Sequence, residues 1–460
     1  MSPKLGRLGV GAVYWPSLHN LFEDHPDLIQ VAEAEPSSFW IKAPGPAGAL
    51  RSSLDVLERL AELPQAKLLH GVGYPVGGTR CDQSEPVAEL RRWAQRLGVA
   101  WTSEHLSFNE TDAGAAGFLL PPCQSDSGVA VAAANIRSRA ALLDTPFAYE
   151  TGDNYLPRQD GEMADGAFFA AVAEAADCRI LLDLHNLWAN ERNGRGRVLD
   201  VIAALPLERV CEIHLAGGLE KDGFWLDAHS GPVPPELLAL AAEIMPDLPA
   251  VGAILFELAP QHLGNVDRAG FLRQIEALHR LWERRGKAAL PETRGPASFG
   301  RDINPAAWEA CLVQALAAPP AESDPPAIGL YRSLVASFRN GALADLLPHS
   351  LNLIAIGRGQ ARLEAILADY GDSTPPQLYP AHEALQFADW LAANPVDLPY
   401  LHDMLTFESA IVRFASDGRG GEVVLEHDPS IIAAAVAAGR SPTQVPAGDY
   451  RLVIGATAQA

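Results

Sequence analysis

The sequence reads as an α/β protein: a (β/α)8 barrel over residues 1–316, then a smaller helical and α+β unit. Three observations carry this. Eight strand-like apolar runs recur between residues 8 and 259, with helical stretches between several of them. The runs are nearly continuous in apolar residues rather than alternating, as parallel strands covered on both faces require. Seven short segments end such a run with a metal-ligand residue type, and in a barrel all those ends meet at one mouth.

In chain order the strand candidates are "LGVGAVYW" (8–15), "LIQVAEA" (28–34), "AKLLHGVG" (66–73) and "VAWTSEHL" (99–106). They continue with "PFAYET" (146–151), "RILLDLHN" (179–186), "RVCEIHLAG" (209–217) and "VGAILFELA" (251–259). Helical patterns lie between them, among them "SSLDVLERLAEL", "PVAELRRWAQRLG", "DGAFFAAVAEAAD" and "DRAGFLRQIEALHRLWERRG". Ser52 and Ser53 can cap the first, and Gly98 and Gly286 are plausible terminators. The longest loop after a strand, 106–135, is long enough to act as a lid or a substrate-binding wall.

A helix in "NPAAWEACLVQAL" follows the barrel. Residues 317–327, "AAPPAESDPPA", read as a Pro-rich linker. Residues 328–460 form the second unit: first helical, through "IGLYRSLVASFRNG", "RLEAILADYG", "PAHEALQFADWLAANP" and "YLHDMLTFESAIVRFA", then strand-like at 421–427 and 448–456. No His, Asp and Glu cluster at ligand spacing occurs there, so recognition rather than catalysis is expected of it.

A formal charge of −22 disfavours nucleic acid and anionic membranes, which need clustered Lys and Arg. The five cysteines, an odd number without a Cys-x-x-Cys, argue against a disulfide framework and fit a reducing compartment. The N-terminus lacks the apolar stretch of a signal peptide, and "IIAAAVAAG" (431–439) is too short to span a bilayer. A cytoplasmic protein is expected.

The strand-end residues are His70, His105, Glu150, Asp183, His214, Asp227 with His229, and Glu257. Imidazoles and carboxylates together suit iron, manganese or zinc. They exceed what one ion can take, so two or three ions bridged by carboxylates is the better reading. His185, Asn186 and Glu104 form a second tier: further ligands, or groups that orient a ligand. If 179–186 is strand throughout, Asp183 and His185 share a face and Asn186 points away. Glu33 and Glu35 carry low weight as rim carboxylates, and His25, His262 and His349 read as surface residues. Alone, each histidine is more often structural than a ligand. Together, one metal site explains seven elements at once.

With these segments in hand, the chain resembles the DUF692 family of multinuclear non-heme iron-dependent oxidative enzymes, which includes the methanobactin biosynthesis oxidase. The matching pieces are "HGVG", "SEHLSF", "LLP" (119–121), the Glu150 segment with Tyr155, "LLDLHN", "IHLAGG", "DAH" and Glu257, over roughly 8–285. The resemblance implies a TIM barrel with two or three irons, of mixed Fe(II) and Fe(III) state, and dioxygen as cosubstrate. His70, His105 and Glu150 would hold one part of the cluster, and Asp183, His214, Asp227, His229 and Glu257 the rest. It implies a ribosomally made precursor peptide as substrate, modified at Cys, Asp or Asn. Thr151 and His185 stand where the family often has Asn, and "EAEPSSF" lacks its usual Asn. The region after the linker resembles the family's separate leader-capturing partners. A natural fusion would bind the leader through its terminal strands and need no separate partner. Two rival readings are a divalent-metal sugar isomerase or endonuclease IV-like hydrolase on the same barrel, and a non-enzymatic scaffold. A sugar isomerase would commonly want a catalytic lysine in the barrel and none stands at a strand end, and the net charge disfavours a DNA enzyme.

Overall fold

The computed structural model describes residues 5–43, 48–52, 54–81, 84–286, 303–418 and 420–455. Eight parallel strands close into a barrel. They are β1 (Gly9–Val13), β2 (Val31–Ala34), β3 (Ala66–Gly71), β4 (Thr102–His105), β5 (Phe147–Glu150), β6 (Arg179–Asp183), β7 (Val210–Ala216) and β8 (Ala253–Glu257). Each pairs with its neighbours in sequence, and β8 returns to β1. The TIM-barrel expectation holds.

The strand period of two explains why a metal-ligand residue caps so many strands. Val31, Leu68, Trp101, Ala148, Leu181, Ala253 and Leu255 form a small buried cluster that plugs the barrel. Two residues further along the same strands, hence on the same face, stand Glu33, His70, Ser103, Glu150, Asp183 and Glu257. One layer seals the barrel from below, and the next presents its polar side chains to the mouth. Register sets which of these lie side by side. His105 pairs with Glu150 across β4 and β5, and Asp183 with His214 across β6 and β7.

Several local details differ from the sequence reading. β6 ends at Asp183, and the chain turns into helix Leu184–Arg192, capped by Asp183 accepting from Asn186 N at 2.7 Å. His185 and Asn186 therefore leave the strand, and strand alternation does not apply to them. The 106–135 segment is a hairpin, Phe108–Thr111 against Gly114–Leu120, followed by a helix beginning at Asp126. Gly98 ends helix Ser84–Leu97 at φ +62°, a left-handed conformation that suits glycine. Ser52 closes a short strand rather than capping helix Leu54–Glu62, and Ser53 lies outside the described residues.

Beyond the barrel, helix Pro305–Ala317 runs to the edge of the Pro-rich stretch. The irregular part is only 318–325, because Pro326 opens the next helix, Pro326–Leu346, where its missing N–H costs nothing. The first half of that helix packs on the barrel mouth. Leu330 and Tyr331 join Phe108 and Leu120 of the hairpin, Tyr155 and Leu226 in one buried cluster. From Leu343 onward a separate core forms, with Leu353, Ile354, Tyr370, Phe387 and Met404. Gly421–His427 and Ala447–Ile454 close the chain as an antiparallel pair.

Candidate metal centre

Three donor sets converge at the mouth: His70, His105 and Glu150; Glu150, Asp183, His214 and Glu257; and Glu33, Glu212 and His214. Within each set one donor atom per residue lies within 4.8 Å of the others. Glu150 belongs to the first two sets. Its Oε2 stands 3.2 Å from His70 Nε2 and 3.0 Å from His105 Nε2, while its Oε1 lies 3.9 Å from His214 Nδ1. His214 Nδ1 also faces Glu257 Oε1 at 3.0 Å, and Glu257 Oε2 reaches His229 Nε2 at 3.4 Å. Asp227 Oδ2 lies 3.1 Å from the same His229 nitrogen. The expected ligands thus form one chain of contacts from His70 to His229, although Asp227 and His229 lie outside the three compact sets.

These close pairs are not hydrogen bonds. Glu150 Oε2, Asp183 Oδ2, Glu257 Oε2, both ring nitrogens of His214 and His229 Nε2 are buried without a hydrogen-bond partner. Leaving so many buried polar atoms without a hydrogen bond is costly unless a cation sits among them. Donors that converge without pairing fit metal ions, and the all-nitrogen-and-oxygen set suits iron, manganese or zinc.

Supporting bonds fix the rings. His105 Nδ1 lies 3.0 Å from the Gly71 carbonyl, which can only accept. That nitrogen therefore carries the proton, and Nε2 offers its lone pair to the mouth. His70 Nδ1 meets Ser103 Oγ at 2.9 Å. Glu104 is not among the converging sets. Its Oε1 accepts from His105 N at 3.1 Å, and its Oε2 faces Arg139 at 3.7 Å, so it braces the strand end. Asn186 donates from Nδ2 to the Thr151 carbonyl at 3.3 Å and holds the Glu150 loop. His185 has both ring nitrogens engaged, with Asp227 Oδ1 at 2.5 Å and Trp225 Nε1 at 3.1 Å.

Of two inner groups, Glu33 carries only low weight in the sequence and Glu212 goes unrecognised there. Glu33 Oε1 stands 3.0 Å from His214 Nε2, and Glu212 Oε1 stands 3.6 Å from it. Both are fully buried. Glu212 shares a strand face with His214, two residues on, which is a period-two signal available from sequence. Asp153, on the loop after β5, is a third carboxylate facing the mouth. Burial, then the Asp227 charge, push it up to about 6.

Protons balance the charges of the protein alone. Burial opposes the charged form of His70, but Glu150 outweighs it and raises the imidazole to about 10. His214 and His229 are raised well above the ordinary range against the same burial, chiefly by Glu257 and Asp227 respectively. Burial, reinforced by the Asp227 and Glu257 charges, raises Asp183 well above the usual carboxylate range. Burial and the neighbouring Glu212 push Glu33 up to about 8.

Residues 14–261 match the family described as RiPP precursor modification enzyme MbnB/TglH/ChrH, RiPPs being ribosomally made, post-translationally modified peptides. The match covers more than half of the chain. The chain belongs to this family. Relatives named UPF0276 protein include one from Streptomyces avermitilis, 28% identical over 293 residues, or 62% of this chain and 57% of the relative. One from Chromobacterium violaceum is 33% identical over 192 residues, covering 42% of this chain and 69% of the relative. The chain thus spans less than two thirds of the Streptomyces relative's length. Among solved structures, a D-psicose 3-epimerase from Clostridium cellulolyticum H10 aligns at a TM-score of 0.39 and 12% identity, covering 60% of this chain and 99% of that one. Agreement at that level carries no argument about activity. The family match and the converging donors meet at one mouth: His70, His105, Glu150, Asp183, His214, Glu257, Glu33 and Glu212, with Asp227 and His229 beside them, all fall within 14–261.

Proposed function

We propose that this chain is an iron-dependent, dioxygen-consuming enzyme that modifies a ribosomally made precursor peptide at Cys, Asp or Asn. The observation that carries this is Glu150, whose two oxygens face different histidines in a pocket of unpaired donors, in a chain of the MbnB/TglH/ChrH family. A carboxylate so placed would serve as a ligand on both sides if ions are bound there. Iron held there supplies one-electron and dioxygen chemistry.

The remaining work falls to the chain. The apolar plug around Trp101 and Leu181 keeps water from below the cluster. The side chains of His105, Asp227 and His229 are 22%, 15% and 27% exposed, whereas those of Asp183 and His214 are fully or almost fully buried. Substrate therefore approaches from the His105, Asp227 and His229 side. The strand Ala447–Ile454 pairs only with Gly421–His427 among the described residues, and its other edge can accept a leader peptide as an added strand. The five cysteines form no disulfide with one another, which suits work in a reducing compartment. No helix among the described residues is long and apolar enough to cross a membrane.

Oxygen uptake by iron-loaded protein tests the reading. The probe is the short peptide encoded beside this chain's gene, with and without its leader half. Uptake with a mass change on the full peptide supports it. An iron-loaded protein that leaves every such peptide unchanged contradicts it.

A further inference from the structure

His185 is the one buried histidine at the mouth whose two nitrogens are both committed, and its partners define its tautomer. Trp225 Nε1 stands 3.1 Å from His185 Nε2. An indole N–H only donates, so Nε2 is the unprotonated nitrogen. The proton then sits on Nδ1, which lies 2.5 Å from Asp227 Oδ1. No ring nitrogen is left for an ion.

The arrangement is built in from several sides. Asn193 grips the Trp225 backbone twice, accepting from its N at 2.8 Å and donating to its carbonyl at 2.9 Å. Trp188 packs edge-on against the indole at 5.2 Å, and the Arg192 guanidinium covers it at 4.5 Å. Gly218 makes room for the pair. A Cβ there would stand 2.5 Å from Trp225 Nε1 and 2.8 Å from His185 Nε2. Asp227 is held at its backbone as well, since its N donates to Tyr155 Oη at 3.1 Å.

We propose that His185, fixed in one tautomer by Trp225, is a positioning residue that occupies Asp227 Oδ1 and leaves only Oδ2 for a metal ion. The proposal rests on the reading of the mouth as a metal centre. Oδ2 is the oxygen that faces His229, 3.1 Å away, so the pair offers one oxygen and one nitrogen to an ion at the rim. A carboxylate free at both oxygens would swing or chelate. One tethered at Oδ1 presents a single donor in a fixed direction and leaves room at the ion for substrate.

The test is anaerobic ferrous-iron titration of the full chain by calorimetry, with Mössbauer spectra of the 57Fe-loaded protein. The wild type is compared with His185→Asn, His185→Leu and Trp225→Phe. Asn keeps a donor near the Nδ1 position, Leu removes it, and Phe at 225 frees the ring to change tautomer. His185→Leu is expected to weaken the most loosely held ion about 10- to 100-fold and alter its Mössbauer signal, leaving the tighter ions unchanged. His185→Asn is expected to restore most of the affinity, and Trp225→Phe to fall between. Unchanged affinity and spectra in folded His185→Leu overturn the proposal. If that variant does not fold, unchanged Trp225→Phe overturns it instead. A wild type that binds no iron overturns the metal reading itself, which separates the two failures.

Discussion

His214 faces two ways. Its Nδ1 looks into the mouth toward Glu257 and Glu150, and its Nε2 looks down toward Glu33 and Glu212. With His70 raised to about 10 and His214 raised well above the ordinary imidazole range, the protein without ions carries protons at neutral pH where ions would sit. Metal must displace them, so binding releases protons and apparent affinity rises with pH. Calorimetric ferrous titrations in buffers of different ionisation enthalpy should show net proton release at pH 7, shrinking as pH approaches the His70 value of about 10. Proton uptake on binding would contradict the assignment. Most mouth residues were legible because each ends an apolar run. Glu33 was not, because a short run such as "VAEA" does not say how deep its carboxylate lies, and its meaning comes from His214, a residue five strands later in the chain.

Strand ends work as ligand carriers only while their backbones stay close. Gly71 shows the tolerance. A Cβ there would meet Glu104 Oε2 at 2.1 Å, while the Gly71 carbonyl orients His105. Gly71→Ala is expected to displace Glu104, cost about 1–3 kcal/mol in urea unfolding, and loosen iron at His105. Stability and iron content equal to wild type would refute this. All eight barrel strands were readable from apolar runs bounded by helical periodicity. Their ends were less so. In "LLDLHN" the aspartate caps a helix, and that competition between strand and cap is decided by tertiary context. The 106–135 hairpin had a local signal in Asp112-Ala113-Gly114, with Gly114 at φ +120°.

At the scale of the molecule, the segment after the barrel is part of the mouth before it becomes a second core. Tyr331 Oη accepts from Tyr155 N at 3.2 Å, and Lys221 Nζ donates to Ser333 Oγ at 2.7 Å. The second core has its own keystone, Arg339, buried and 2.7 Å from Glu383, which also accepts from Tyr370 Oη at 2.6 Å. Arg339→Leu strands the Glu383 charge and is expected to cost about 3–5 kcal/mol. Hydrogen exchange should show the loss in helices Gln360–Ser373 and Pro380–Ala393 first, with the barrel strands unaffected; uniform protection would contradict it. The sequence separated these regions by composition, but the packing of Tyr331 on Tyr155 lies beyond local periodicity. On the proposed function, Glu150 would be a ligand to iron through both of its oxygens at this mouth. Elemental analysis of protein made without added metal, wild type beside Glu150→Gln, tests it most directly. The expected result is more than one iron per chain in the wild type and a large loss in the folded variant. Iron-free wild type, or equal iron in both, would contradict it.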